Sequence, residues 1–259
     1  MKALIRTPVP ARAFDVPRAT SARCASTAHY GPSVRGCSRP SAHLEPSKHD
    51  TVVKHRPVPV GVECPAMAAP PVLRDIFNAY QKQLGEEDDG FLFEDEQGPI
   101  SRLDVLVYRP KSATDMTSFA TIGMAAKEMP AVPGPGGGGR AELHLRRRGP
   151  LTRSEEHAIA VRLADLAVHP FVTGMQLNWG HMIGFQGDFP TFRGCRAVFL
   201  AGPLSADGLD YVPTSAGAVR VINVVPITDT ERERGKTLPP VDFARSLLER
   251  ADIFAERPQ

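Results

Sequence analysis

In "RAELHLR" (140–146) a carboxylate and an imidazole, Glu142 and His144, stand two residues apart. On a strand that spacing puts both on one face, where they would suit general acid–base work. His181, in "NWGHMIGF", is a second imidazole, and a hydrolase or transferase using His181 with Glu142 or His144 is one reading of the chain. A general base needs an orienting partner within hydrogen-bond reach, and no neighbour in the sequence supplies one to His181. Alternation alone accounts for Glu142 and His144 as polar residues on the solvent face of a half-buried strand.

Other chemical signals fail at decisive positions. "GPGGGGRA" (134–141) has the glycine spacing of a phosphate loop, but Arg140 stands where lysine belongs and Ala141 lacks a hydroxyl. The residues after the glycine run alternate like a strand, whereas a phosphate loop opens a helix. No Gly-x-Ser-x-Gly elbow is present. Cys195 has Arg193 and Arg196 beside it, which would activate a thiol if they faced it; a lone cysteine at a strand start reads better as a small core residue. Cys24, Cys37 and Cys64, with His29, His43, His49 and His55, lack the short paired spacings of zinc sites. The acidic "GEEDDGFLFEDEQG" lacks the alternating ligand register of a calcium loop and reads as a solvated hairpin or loop. No metal and no cofactor is expected. Trp179, the only tryptophan, could anchor a partner or simply pack in the core.

The elements that would position these residues emerge from periodicity. Val72, Ile76, Phe77, Tyr80 and Leu84 recur at helical spacing before Gly85. "RLDVLVY", "SFATIG" and "RAELHLR" alternate as strands, and Thr152 with Glu155 forms a capping-box signature for a helix expected to end before Pro170. Further strands are expected at 181–185, 196–202 and 218–227, and a last helix through Phe243, Leu247, Leu248 and Ala251. Short strands in runs with a few helices predict an α+β fold: one domain with a mixed, largely antiparallel sheet and helices packed against it.

The 259 residues carry a formal charge of +2, unevenly placed. Residues 1–66 hold 10 Lys and Arg against 4 Asp and Glu; the rest hold 21 against 25. A mildly acidic domain does not suit nucleic acid. No apolar run is long enough for a membrane span, and with a single cysteine beyond residue 66 no disulfide framework is available, so a cytoplasmic setting is expected. Residues 1–66 contain nine prolines and no sustained period. They are expected to be a disordered extension, with Met67 as the true start and 67–259 as the domain.

Taken in order, "RLDVLVYRP", "FATIGMAAKEMP", "RAELHLR", "WGHMIGF" and "VINVVPITDTERE" resemble the suppressor-of-fused domain family in its bacterial single-domain form, over roughly 72–254. The Thr-Ile-Gly-Met turn with Gly123 and Met124, the Met-Pro ending at Pro130 and the "VVPIT" strand with Pro226 carry the likeness. Ala125 departs from it, standing where the family usually has serine, and the glycine run at 136–139 looks like a loop expansion. The resemblance implies a non-catalytic, protein-binding domain, in bacteria often an immunity protein against a toxin. A regulatory or chaperone-like module is the alternative. Asp104, Glu142, Trp179 and His181 are the candidate partner contacts, and a basic toxin domain is the expected class of partner. Gly123 is expected to permit a sharp backbone path, with Met124 packed beneath it.

Overall fold

The structure, a computed structural model, describes residues 70–113, 115–131, 139–206 and 208–257. The expected extension at 1–66, the start at Met67 and the early Cys and His candidates lie outside the described residues.

The chain opens with α1 (Pro71–Leu84), whose Val72, Ile76 and Tyr80 repeat every four residues and are buried. Gly85, at φ 90°, ends it. Four strands then meander antiparallel: β1 (Asp89–Glu94), β2 (Arg102–Tyr108), β3 (Met116–Ile122) and β4 (Arg140–Arg148). The acidic stretch expected as a hairpin or loop is therefore the outer arm of a hairpin, and β1 is an edge strand.

After α2 (Arg153–Thr173) come β5 (Met182–Gly184), β6 (Cys195–Ala201), β7 (Tyr211–Thr214) and β8 (Gly217–Thr228). The sheet order is β1-β2-β3-β4-β8-β6-β5, with β7 also on β8. Among the strands of the described residues only the β4–β8 pair is parallel, joining Arg140–His144 to Val219–Asn223. On its other side β8 pairs with β7 through residues 217–220 and with β6 through 223–228. Helices α3 (Asp229–Gly235) and α4 (Pro240–Arg250) complete the domain. The architecture is α+β, as the patterning predicts.

Alternation along β8 separates two layers. Ile222 and Val224 face one side, where α2 lays Ile159, Leu163 and Leu166 over Val105, Phe119, Leu143 and Leu145. Val219 and Val221 face the other side, against α1, and farther along that side Val225 and Ile227 pack against Phe243 of α4. Asn223 stands between these two apolar clusters on the α1 and α4 face.

Helix α2 starts with the capping box read from the sequence: Thr152 accepts from the Glu155 amide, and Glu155 accepts from the Thr152 amide. It does not stop before Pro170, however, and runs on to Thr173. Pro170 lies one turn from the end, so it removes a single backbone bond. Its buried ring, with Phe171 packed against the core, favours continuing to the Gly174 cap at φ 71°.

Beyond His144 and Asn223, β4 and β8 part, and the C-terminal segment closes the gap. The Arg148 amide donates to Phe254 O, and Arg257 Nη2 donates to Pro226 O. Within one strand residue N–H and C=O point to the same side, so Pro226 turns its missing donor toward this gap and away from β6. A proline is tolerated in an otherwise paired strand for that reason.

Candidate functional site

The turn between β3 and β4 is built around Glu142. Its Oε1 accepts the Gly123 and Ala125 amides, both at 2.9 Å, and its Oε2 accepts the Thr121 hydroxyl at 2.6 Å. Thr121 Oγ1 in turn accepts the Leu143 amide, which leaves its hydrogen for Glu142. Arg140 Nη1 donates to Ala125 O and ties the same turn to the start of β4. Gly123 has φ 138°, and a Cβ there would lie 2.4 Å from Arg102 O. Met124 is 0% exposed beneath it. Burial pushes Glu142 up to about 7, against the hydrogen bonds from Thr121, Ala125 and Gly123 that favour its charged form.

The solvent-facing placement expected for Glu142 and His144 is therefore corrected. Helix α1 covers that face of β4, so Glu142 is 0% exposed and His144 lies half-buried beneath it. His144 Nδ1 donates to Asn223 Oδ1 at 3.1 Å, and Asn223 Nδ2 donates to Gly202 O at 2.9 Å. Burial, with Arg146 nearby, lowers His144 to about 4. Among the described residues, the hydrogen bonds of Glu142 and His144 run to these groups and none couples either one to the exposed His181.

The other expected contact residues do not form one patch. Asp104 lies on β2, opposite Leu92 of β1, and is bridged by Arg102 at 3.0 Å. Trp179 lies beside β8, with β3 and β4 between the two. Its Nε1 donates to Val221 O, in the interval between the β7 and β6 pairings. Tyr211 sits 5.3 Å from the ring, Arg220 stacks over both aromatics, and Gly202 passes beneath. Pro130 follows the buried Met129, whose amide donates to Gly139 O. Cys195 is buried, and that burial pushes its thiol up to about 11. That is the opposite of activation. Among the described residues no group of three or more His, Cys, Asp or Glu is arranged to hold a metal, and no helix is long and apolar enough to cross a membrane.

The edge at β1 was not singled out by sequence reasoning. Leu92 is 45% exposed there, between Glu86–Asp89 and Glu94–Glu96. Behind the strand, Arg109 binds Glu156 through Nε and Nη2, at 2.7 Å each, and Asp89 through Nη2. Arg153 also bonds Asp89 and stacks on Phe91. This network fixes β1 to the N-terminal turn of α2, and among the described residues no strand pairs with its outer side.

A sequence profile of the family described as Suppressor of fused protein (SUFU) matches residues 100–253, more than half of the chain. This chain belongs to the suppressor of fused family. Similar solved structures agree on the fold. A suppressor of fused homologue from Neisseria gonorrhoeae FA 1090 has a TM-score of 0.56 at 16% identity, over 73% of this chain and 95% of that one. Drosophila Suppressor of Fused gives 0.52 at 17% identity, over 71% of this chain but 48% of its own. The present chain thus spans about half of the Drosophila protein. A Sufu–Fu complex gives 0.52 at 16% identity, over 71% and 86%. No curated protein matches the sequence.

Proposed function

We propose that this chain is a non-catalytic protein-binding domain that holds an extended, basic segment of its partner along the β1 edge. The carrying observation is that edge: a six-residue outer strand with an exposed Leu92 and acidic residues at both ends. An open strand offers backbone groups to an added strand, and its alternating side chains give selectivity. The flanking carboxylates would steer a basic segment into place and raise the rate of encounter. The short β5, at the far side of the sheet, has three residues to offer. The suppressor of fused family membership supports a binding role, and a related chain was solved as a Sufu–Fu complex. The finer reading, an immunity protein whose partner is a basic toxin domain, rests on the resemblance to bacterial single-domain members.

The test is affinity capture with the full chain, followed by titration of the recovered partner against Leu92→Lys and the double variant Glu94→Lys, Glu96→Lys. The edge reading expects the charge reversal to slow association and Leu92→Lys to weaken binding. A partner bound equally well by all three proteins would place the interface elsewhere.

A further inference from the structure

A cleft of about 80 Å³ opens on the α1 face, at the seam between the cluster under α1 and the one under α4. Its floor is polar where its neighbours are apolar. His144 and Arg146 line it from β4, Asn223 from β8 and Tyr80 from α1, while Leu204 and Leu209 of the β6–β7 loop form an apolar wall.

Three groups there have unused hydrogen-bonding capacity. His144 Nε2, Arg146 Nε and the Tyr80 hydroxyl are buried without a hydrogen-bond partner. The tautomer of His144 is set by its neighbour. Asn223 uses its amide hydrogens on Gly202 O, so its Oδ1 can only accept, and His144 Nδ1 carries the proton. Nε2 of the neutral ring is then a bare, buried acceptor on a residue that lines the cleft. Arg146 supplies the opposite character. Its guanidinium stacks 4.6 Å over Phe254 and, among the described residues, makes no ion pair with a carboxylate. A cation left without a counter-charge beside a cavity is costly unless an anion completes it.

We infer that this cleft is a binding site for a small carboxylate that carries a hydrogen-bond donor on the neighbouring atom, as in a short hydroxy acid. The carboxylate sits on the Arg146 guanidinium, the donor points at His144 Nε2, and Leu204 and Leu209 cover the carbon side. The same chemistry occurs in the last residue of a peptide, where the donor is the amide N–H.

Three probes separate these cases: glycolate, N-acetylglycine and acetate, each titrated into the full chain with the His144 ring nitrogens observed by NMR. Either donor-bearing acid is expected to bind saturably and to shift Nε2. It should bind about tenfold more tightly than acetate, which cannot donate to Nε2. The tighter of glycolate and N-acetylglycine identifies a hydroxy acid or a chain terminus as the source. Arg146→Met is expected to weaken binding by at least about tenfold. The ring-nitrogen shift needs no variant, so the test stands even if Arg146→Met does not fold. No Nε2 shift with any probe up to about 50 mM, a range that reveals a Kd of about 1 mM, would overturn the site. So would acetate binding as tightly as glycolate and N-acetylglycine, because the cleft would then hold only water at Nε2.

Discussion

The Glu142 carboxylate holds the Gly123 amide across the β3–β4 connection, at 2.9 Å, with the Ala125 amide on the same oxygen. Two features of the suppressor-of-fused resemblance, the Thr-Ile-Gly-Met turn and the Ala-Glu-Leu strand, are thus one device. The glycine makes the turn possible and the glutamate holds it closed. Gly123→Val is expected to cost about 3 kcal/mol or more, because its Cβ would meet Arg102 O at 2.4 Å in a backbone region that disfavours side chains. A thermal melt of the variant checks this, and an unchanged Tm would show that the turn relaxes freely.

Glu142 also gives the fold an unusual response to pH. Its pKa is raised by burial from the ordinary 4.5 to about 7. Between those values the unfolded chain has released the proton and the folded chain keeps it. The resulting stability is fully present below pH 4.5 and is lost as pH rises through 7. Carbon-13 NMR of the Glu142 carboxyl should find a midpoint near 7. A midpoint below 4.5 would mean that the turn amides and Thr121 outweigh burial.

His144 acts with the opposite sign. Its pKa falls from 6.5 to about 4, chiefly through burial, so its contribution is present above pH 6.5 and lost as pH falls through 4. From pH 4.5 to 6.5 the two slopes oppose each other. Urea denaturation of His144→Gln across that window should therefore show stability falling more steeply with rising pH than in the wild type. Parallel curves would contradict the depressed imidazole.

The strands and the long helices were legible because alternation and four-residue spacing act locally. The elements that were missed lack such a pattern. β7, "YVPT", is four residues long and contains Pro213, which an edge position on β8 tolerates. α3 has no apolar stripe; its one local signal was the capping box of Thr228 and Glu231, which the structure does contain. Pro170 was misread because a proline normally ends a helix, and the packing that overrides it comes from a sheet the local sequence does not mention. The candidate site shows the same limit more sharply. Glu142, His144 and Arg146 alternate as a solvent face would, and nothing near them announces that α1, some 60 residues earlier, covers that face.

The network behind β1 supports a last prediction about what holds the proposed edge in place. Glu156 is 1% exposed and is gripped by both Arg109 nitrogens at 2.7 Å, while Arg153 approaches it at 3.8 Å. A pair of this kind adds little over an apolar replacement, yet removing one partner strands a buried charge. Arg109→Met should then destabilise the domain by about 1–3 kcal/mol, since Arg109 is partly exposed and Arg153 remains to compensate. The double variant Arg109→Met, Glu156→Met should recover much of that loss, because the uncompensated carboxylate is gone. Chemical denaturation of the single and double variants reads the difference. If the double variant were the weaker by the sum of two independent losses, the network would be contributing stability outright, and β1 would be anchored by charge rather than by the apolar contacts of Phe91.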